Sequence, residues 1–451
     1  MPEPSNTNTP TRRRNIIWVF GDQHRGAALS CAGDPNLSTP NIDRLAAEGV
    51  WFRNAVMGFP LCCPCRGSLL TGVYPHRCVP GHQYPLPTEL PTVAQPFNDA
   101  GYHTAYIGKW HLDGAQETSA NLVHHIVPPD RRGGFKTWIG YENNNAQFDC
   151  YAHGHDGPTP VEHHKLPRFE TDALTDLALK QIDDHRDEPF FLALSVQPPH
   201  DPYTAPAEWM QRHRPANIQL PPNVPVSPRI RKQAQRDLAG YYALIENLDH
   251  NLGRIRQRLE DHGLTNDTII IFFSDHGDHH GSHGHFRKMT PYQESIHVPF
   301  IIGGPTNLTY GMGHNRDNPV NHVDLAPTTL GLAGLTPPPT MAGTDYSPYF
   351  QRGAQDDAVP TAPDSAYLQS VIPTGHAPSI DLPWRGILTR DRWKYVALEG
   401  QPMMLFNLNE DPYEQTNLAW HAHAAPHRKR LNDRLQQWID DTEDTFQLPA
   451  L

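Results

Sequence analysis

The chain has 451 residues, room for one large domain and a smaller one. Its formal net charge of −12, with no basic run longer than Arg12-Arg13-Arg14, argues against a nucleic-acid partner. No apolar stretch reaches the roughly 18 to 20 residues that cross a bilayer, Met1 to Thr11 lack the apolar segment of a secretory signal, and six cysteines make no disulfide framework, so a reducing, cytoplasmic setting is expected.

Residues 1–14 are polar and Pro-rich, and an extended or disordered segment is expected there. The run after Arg12-Arg13 is too short for a twin-arginine signal and reads instead as a strand. Asn15-Ile16-Ile17-Trp18-Val19-Phe20 is a continuous apolar run after its first residue and ends in Gly21-Asp22, the pattern of a buried parallel strand. Thr39-Pro40 opens a helix, with Thr39 as N-cap and Pro40 in the first turn. Further strands are expected at 103–108, 189–195 and 268–273. Between the last two, Leu238, Tyr241, Ile245, Leu248, Leu252, Ile255 and Leu259 recur every three or four residues, an amphipathic helix closed by Gly263. Strands alternating with helices give an α/β fold with a large, mostly parallel sheet, whose ligands gather at the C-terminal strand ends. From about Tyr346 to Pro383 the chain is Pro- and Ala-rich without clear periodicity. Trp384–Thr389 and Trp393–Val396 then alternate like antiparallel strands, Leu405 to Glu414 reads as a strand entering a turn, and Leu431, Leu435, Trp438 and Ile439 mark a terminal helix. A catalytic domain over 15–360 and a small α+β subdomain over 361–451 are expected.

The most informative segment is Leu61-Cys62-Cys63-Pro64-Cys65-Arg66-Gly67-Ser68-Leu69-Leu70-Thr71-Gly72. As a bare Cys62-x-x-Cys65 it could be a redox pair or half a zinc site. Cys31, Cys78 and Cys150 offer no second pair to complete four ligands. Read as Cys62-x-Pro64-x-Arg66 with Leu70-Thr71-Gly72, it resembles the signature of type I sulfatases, in the alkaline-phosphatase-like superfamily. Four more blocks follow that family's order: Gly21-Asp22-Gln23, Gly108-Lys109-Trp110-His111-Leu112, Pro198-Pro199-His200-Asp201-Pro202, and Ser274-Asp275-His276-Gly277 running on through Gly281-Ser282-His283-Gly284 to Lys288. The stretch from Leu405 to Glu414 resembles the family's C-terminal signature, so the likeness covers nearly the whole chain.

The resemblance implies that Cys62 is oxidised to formylglycine (3-oxoalanine) by a formylglycine-generating enzyme, and that its hydrated aldehyde attacks the sulfur of a sulfate ester. It implies one hard divalent cation, calcium first, with manganese and magnesium open, at Asp22, Gln23, Asp275 and His276. Gln23 and His276 depart from the carboxylates or Asn common there. Chemically, such a reaction must hold the sulfate's charge, activate a nucleophile and protonate the leaving alcohol, and an oxygen-ligated cation serves the first two. By the same resemblance Arg66 positions the nucleophile, Lys109 and Lys288 clamp sulfate oxygens, His111 is the base that releases sulfate, and His200 is the acid for the leaving alcohol. A sulfated sugar is the expected substrate.

Alone, Asp22 could be a helix cap, the lysines solvated charges and Pro-Pro-His a stiff loop. Their shared position after strands favours the site. His279, His280, His283 and His285 could bind zinc or nickel, but one or two of them lining the substrate cleft is the favoured reading. His82-Gln83 and the polar loop Asn143-Asn144-Asn145, Gln147, Asp149 are weaker candidates for substrate contact. The nearest rival is a phosphonate monoester or phosphodiester hydrolase of the same superfamily, and a redox-regulated binding module would rest on Cys62-x-x-Cys65 alone.

Overall fold

The computed structural model describes residues 13–117, 122–305, 314–350, 358–375 and 380–451. Nearly all of the expected N-terminal segment 1–14 lies outside the described residues. Ten strands form one mixed sheet: β1 Asn15–Asp22, β2 Val50–Phe52, β3 His103–Lys109, β4 Thr137–Tyr141, β5 Tyr151–Asp156, β6 Thr159–Lys165, β7 Phe190–Pro199, β8 Thr268–Ser274, β9 Phe300–Gly303 and β10 His314–Arg316. Their spatial order is β10-β2-β9-β8-β1-β7-β3-β4-β5-β6. The middle strands β8, β1, β7, β3 and β4 run parallel, and the antiparallel pairs lie outside them.

Alternation along β1 explains why its whole run is apolar. Ile16, Trp18 and Phe20 join one core with Cys63, Cys65 and Leu69 of the helix Cys62–Thr71, whereas Ile17 and Val19 join another with Leu174, Leu248 and Leu252. Helices cover both faces, so both sets of side chains are buried. The four strands expected from apolar runs are the central ones. Among the strands not expected, β2 and β10 are short and the edge strand β6, TPVEHHK, is polar.

The expected amphipathic helix spans Pro228–Asp261 and buries all seven residues of the stripe. The helix after Thr39 runs Pro40–Glu48, but Thr39 does not cap it: its hydroxyl donates to Asp43 at 2.9 Å. The amides of Asn41 and Ile42 are instead taken by Asp249 Oδ1 of the long helix, at 3.0 and 2.8 Å. A buried carboxylate from a second helix thus does the work of the expected local cap.

A second sheet, β11 Ser365–Ser370, β12 Trp384–Thr389, β13 Trp393–Leu398 and β14 Gln401–Asn407, is antiparallel throughout. β11 lies inside the stretch that showed no periodicity. The terminal helix Ala425–Asp441 packs its Leu431, Leu435 and Ile439 on Ile387, Tyr395 and Leu405 of this sheet. Tyr74 and Val323 share that core, and Val56 and Ile296 pack on the sheet's other face. Glu414, the last residue of the C-terminal signature, is ion-paired with buried Lys394 and accepts from the Gln293 amide at 2.7 Å. No helix among the described residues is long and apolar enough to cross a membrane.

Candidate active site

The parallel register assembles the site. Gly21 pairs with Ser274, so Asp22 and Asp275 leave adjacent strands side by side. Gly108 pairs with Ser195 of β7, which brings Lys109 to the same edge, and β7 runs on to Pro199, one residue before His200. Two glycines permit this density. A Cβ on Gly21 would meet Pro198 O at 2.6 Å, and one on Gly108, whose φ is +108°, would meet Ser195 O at 1.9 Å.

Cys62 is the first residue of its helix, after Leu61 in an extended conformation with no side-chain cap, so a helix N-terminus with uncapped amides opens onto the site. The next turn carries Arg66, whose Nε donates to Asp275 Oδ2 at 3.0 Å and whose second terminal nitrogen reaches Asp22 Oδ2 at 3.3 Å. Its other donor binds Lys109 O and Ser195 Oγ, at 3.0 and 2.9 Å. Lys109 Nζ donates to Asp22 Oδ2 at 2.6 Å. Burial alone would push the Asp22 carboxyl up, but Lys109 and Lys288 outweigh it and hold the group well below its usual range.

The remaining oxygens converge. His276 Nδ1 faces its neighbour's carbonyl, Gly277 O, at 3.1 Å, which fixes the tautomer and leaves the Nε2 lone pair free. Nε2 lies 3.1 Å from Cys62 Sγ, 3.4 Å from Asp22 Oδ1 and 3.7 Å from Asp275 Oδ1. Burial, and then Lys288, lower the His276 pKa to about 4, so the ring is neutral. Two carboxylate oxygens, an imidazole lone pair and Sγ thus lie within 4.8 Å of one another. Asp275 Oδ1 also accepts from the Gln23 backbone amide at 3.0 Å, and two carboxylate oxygens with an imidazole lone pair make a donor set that fits one divalent ion. Gln23, with φ +72°, presents its amide oxygen to Lys288 Nζ at 2.9 Å, and Lys288 Nζ is 3.2 Å from Cys62 Sγ.

Gln23, Cys62, Lys109, His111, His200 and Lys288 stand in the wall of a cavity of about 250 Å³. His111 is 2 % exposed, takes φ +57° and has no hydrogen-bond partner on either ring nitrogen. Burial, reinforced by Lys109, lowers its pKa well below the ordinary value. His200 Nδ1 lies 2.8 Å from Asp201 O. Of the polar loop, Asn143 and Asn145 reach the cavity, Gln147 holds His200 O at 3.0 Å, and Asp149 pairs outside with Lys165. His82 also reaches the wall.

All six cysteines are free, and Cys65 is buried in the apolar core. The four histidines of the 279–285 cluster do not converge on one point: His279 bonds Thr290, His280 faces Asp278, and only His283 falls in a ligand-type group, with Glu294 and Glu414. Three acids around the site escaped the sequence reading. Asp278 accepts from Gln23 Nε2 and Tyr203, Glu117 lies in the cavity wall, and Glu142 gathers the amides of Leu112 to Ala115 just after His111. Asp278, three residues past Asp275 in the same loop, was the one with a sequence signal.

The sulfatase family model matches residues 14–335, and that of the C-terminal part of N-sulphoglucosamine sulphohydrolase matches 281–441. A Formosa agariphila protein named ulvan-active sulfatase is 35 % identical over 441 residues, 96 % of this chain and 82 % of its own. The Bacteroides fragilis protein described as the sulfatase yidJ superposes with a TM-score of 0.84 at 26 % identity, covering 96 % of this chain and 97 % of its own. The phosphonate monoester hydrolase of Agrobacterium radiobacter shares the fold, with a TM-score of 0.77 at 22 % identity over 95 % of this chain and 96 % of its own. The length of these matches, with Cys62 of the Cys62-x-Pro64-x-Arg66 block in the cavity wall, means that the chain belongs to the sulfatase family of sulfuric ester hydrolases.

Proposed function

We propose that this enzyme removes sulfate from a sulfated carbohydrate, with Cys62 converted to formylglycine by a formylglycine-generating enzyme and one divalent ion, calcium first, held by Asp22, Gln23, Asp275 and His276. The observation that carries the reading is the convergence of Asp22 Oδ1, Asp275 Oδ1 and His276 Nε2 beside Cys62 Sγ. When bound, a hard cation supplies Lewis-acid stabilisation of the sulfate and lowers the pKa of the hydroxyl next to it.

Each side chain then has a task that its position supports. Arg66 spans Asp22 and Asp275, holding both carboxylates in place and offsetting their charge. Lys109 and Lys288, both buried, flank the position of residue 62 and clamp sulfate oxygens. His111, neutral and unpartnered, accepts the proton whose loss expels sulfate. His200, with Nδ1 donating to a backbone carbonyl, has Nε2 for the leaving alcohol and acts as its acid in the protonated form of the ring. The side chains of Asn143, Asn145 and Arg287 in the cavity wall suit a polyhydroxylated substrate better than an aryl one, and the ulvan-active relative supports a polysaccharide source. The six unpaired cysteines support a reducing, cytoplasmic setting.

The test is a steady-state comparison of an aryl sulfate, an aryl phosphonate monoester and a panel of sulfated monosaccharides, on protein whose residue 62 has been checked by mass. Preference for the phosphonate would move the enzyme to the rival hydrolase class. Preference for the aryl sulfate over every sugar would remove the carbohydrate assignment.

A further inference from the structure

Cys63, His82 and His111 each offer one ligand atom, and these atoms lie within 4.8 Å of one another. Cys63 Sγ stands 3.8 Å from His82 Nδ1. Zinc bonds of about 2.3 Å to sulfur and 2.0 to 2.1 Å to nitrogen separate two tetrahedral ligands by about 3.4 to 3.6 Å, so this edge is nearly closed. Glu117 Oε1 is 3.3 Å from His82 Nε2 and 3.6 Å from His111 Nε2. That is where a carboxylate steadies the outer nitrogen of a metal-bound histidine. The second, independent sign of a missing ligand is His111 itself: a ring 2 % exposed, with both nitrogens buried and without a hydrogen-bond partner. Buried polar atoms of native proteins are rarely left so.

We propose that Cys63, His82 and His111 form a second metal site, soft where the Asp22–Asp275 site is hard, and that zinc bound there shuts the enzyme off. The thiol and two imidazoles suit zinc or copper and not calcium. Binding exchanges the Cys63 S–H bond for a Zn–S bond, with the proton released to solvent, and the His111 lone pair enters a Zn–N bond. An imidazole so engaged accepts no proton. The binding stands on geometry alone, and only the inhibition rests on the role proposed above for His111.

Cobalt(II) serves as the spectroscopic probe, in Cys62→Ala protein so that no thiol remains at the hard site. A thiolate-to-cobalt charge-transfer band should appear, vanish in Cys62→Ala/Cys63→Ala, and need about tenfold more cobalt or higher in Cys62→Ala/His82→Gln. A band that is absent, or unchanged by the Cys63 substitution, overturns the site. In mature enzyme saturated with calcium, zinc should inhibit, and Cys63→Ala should require about tenfold more zinc. A Cys63-dependent band accompanied by full turnover in zinc would overturn the inhibition, and with it the role of His111, while leaving the sulfatase assignment intact.

Discussion

Gln23 Nε2 donates to Asp278 Oδ2 at 2.5 Å, and this bond fixes which end of the amide is turned toward Lys288 and Cys62. Lys288 can only donate and an ionised carboxylate can only accept, so the amide has one possible orientation. Asp278 stays ionised: burial would raise its pKa, but His280, the Tyr203 hydroxyl and Arg287 together bring it to about 2.

Asp278→Asn should therefore act through Gln23. Oδ1 of Asp278 accepts the His280 and Arg287 amides, which cannot turn, so the new NH2 must face Gln23 and force its amide over. On the proposed ligand set, the metal concentration for half-activity should rise about 10- to 100-fold, with kcat at saturating metal largely kept. An unchanged metal requirement would remove Gln23 from the ligands.

Cys62→Ala should abolish turnover and leave the fold intact. Cys65→Ser should keep most activity yet lose about 1–3 kcal/mol of stability, because its hydroxyl enters an apolar core. Intact mass should show the wild-type chain about 18 Da light for formylglycine, against about 2 Da for a disulfide. Equal inactivation by both substitutions would restore the Cys62-x-x-Cys65 reading.

Chelation should remove activity reversibly, with calcium, magnesium or manganese restoring it. The pH dependence follows from His276, whose pKa, lowered by burial and then by Lys288, is about 4 against the ordinary imidazole value of 6.5. A lowered imidazole pKa means that the native state refuses a proton the unfolded chain takes. Its contribution to stability is therefore constant above pH 6.5 and is lost as pH falls from 6.5 toward 4. Metal affinity, set by the neutral ring, should hold nearly flat from pH 8 to 6, as direct metal titration would show. A tenfold loss per unit beginning at pH 6.5 would contradict a buried, neutral His276.

His111 and His200 should fail differently. His200→Ala should damage sugar or alkyl sulfates far more than nitrophenyl sulfate, whose leaving group hardly needs a proton. His111→Ala should slow sulfate release with either substrate and leave a sulfate-mass adduct on the peptide containing residue 62, seen after quenching. Equal losses for both variants on both substrates, without an adduct, would void these roles.

Sequence alone determined the central strands and the motif residues at their ends. An unbroken apolar run such as residues 16–20 admits little but a strand buried on both faces, and chemistry needs particular side chains at fixed offsets from a nucleophile. Tertiary structure decided what depends on distant partners. β6 is polar and β10 three residues long, so their pairing was illegible in isolation. The Pro40–Glu48 helix is capped by Asp249, some 200 positions away, and no local pattern can announce an acceptor that arrives from another helix. Glu142 and Asp278 are acids in loops, which read as solvated until folding buries them against amides or an amide side chain, and Glu117 meets its imidazole partner only in the folded chain.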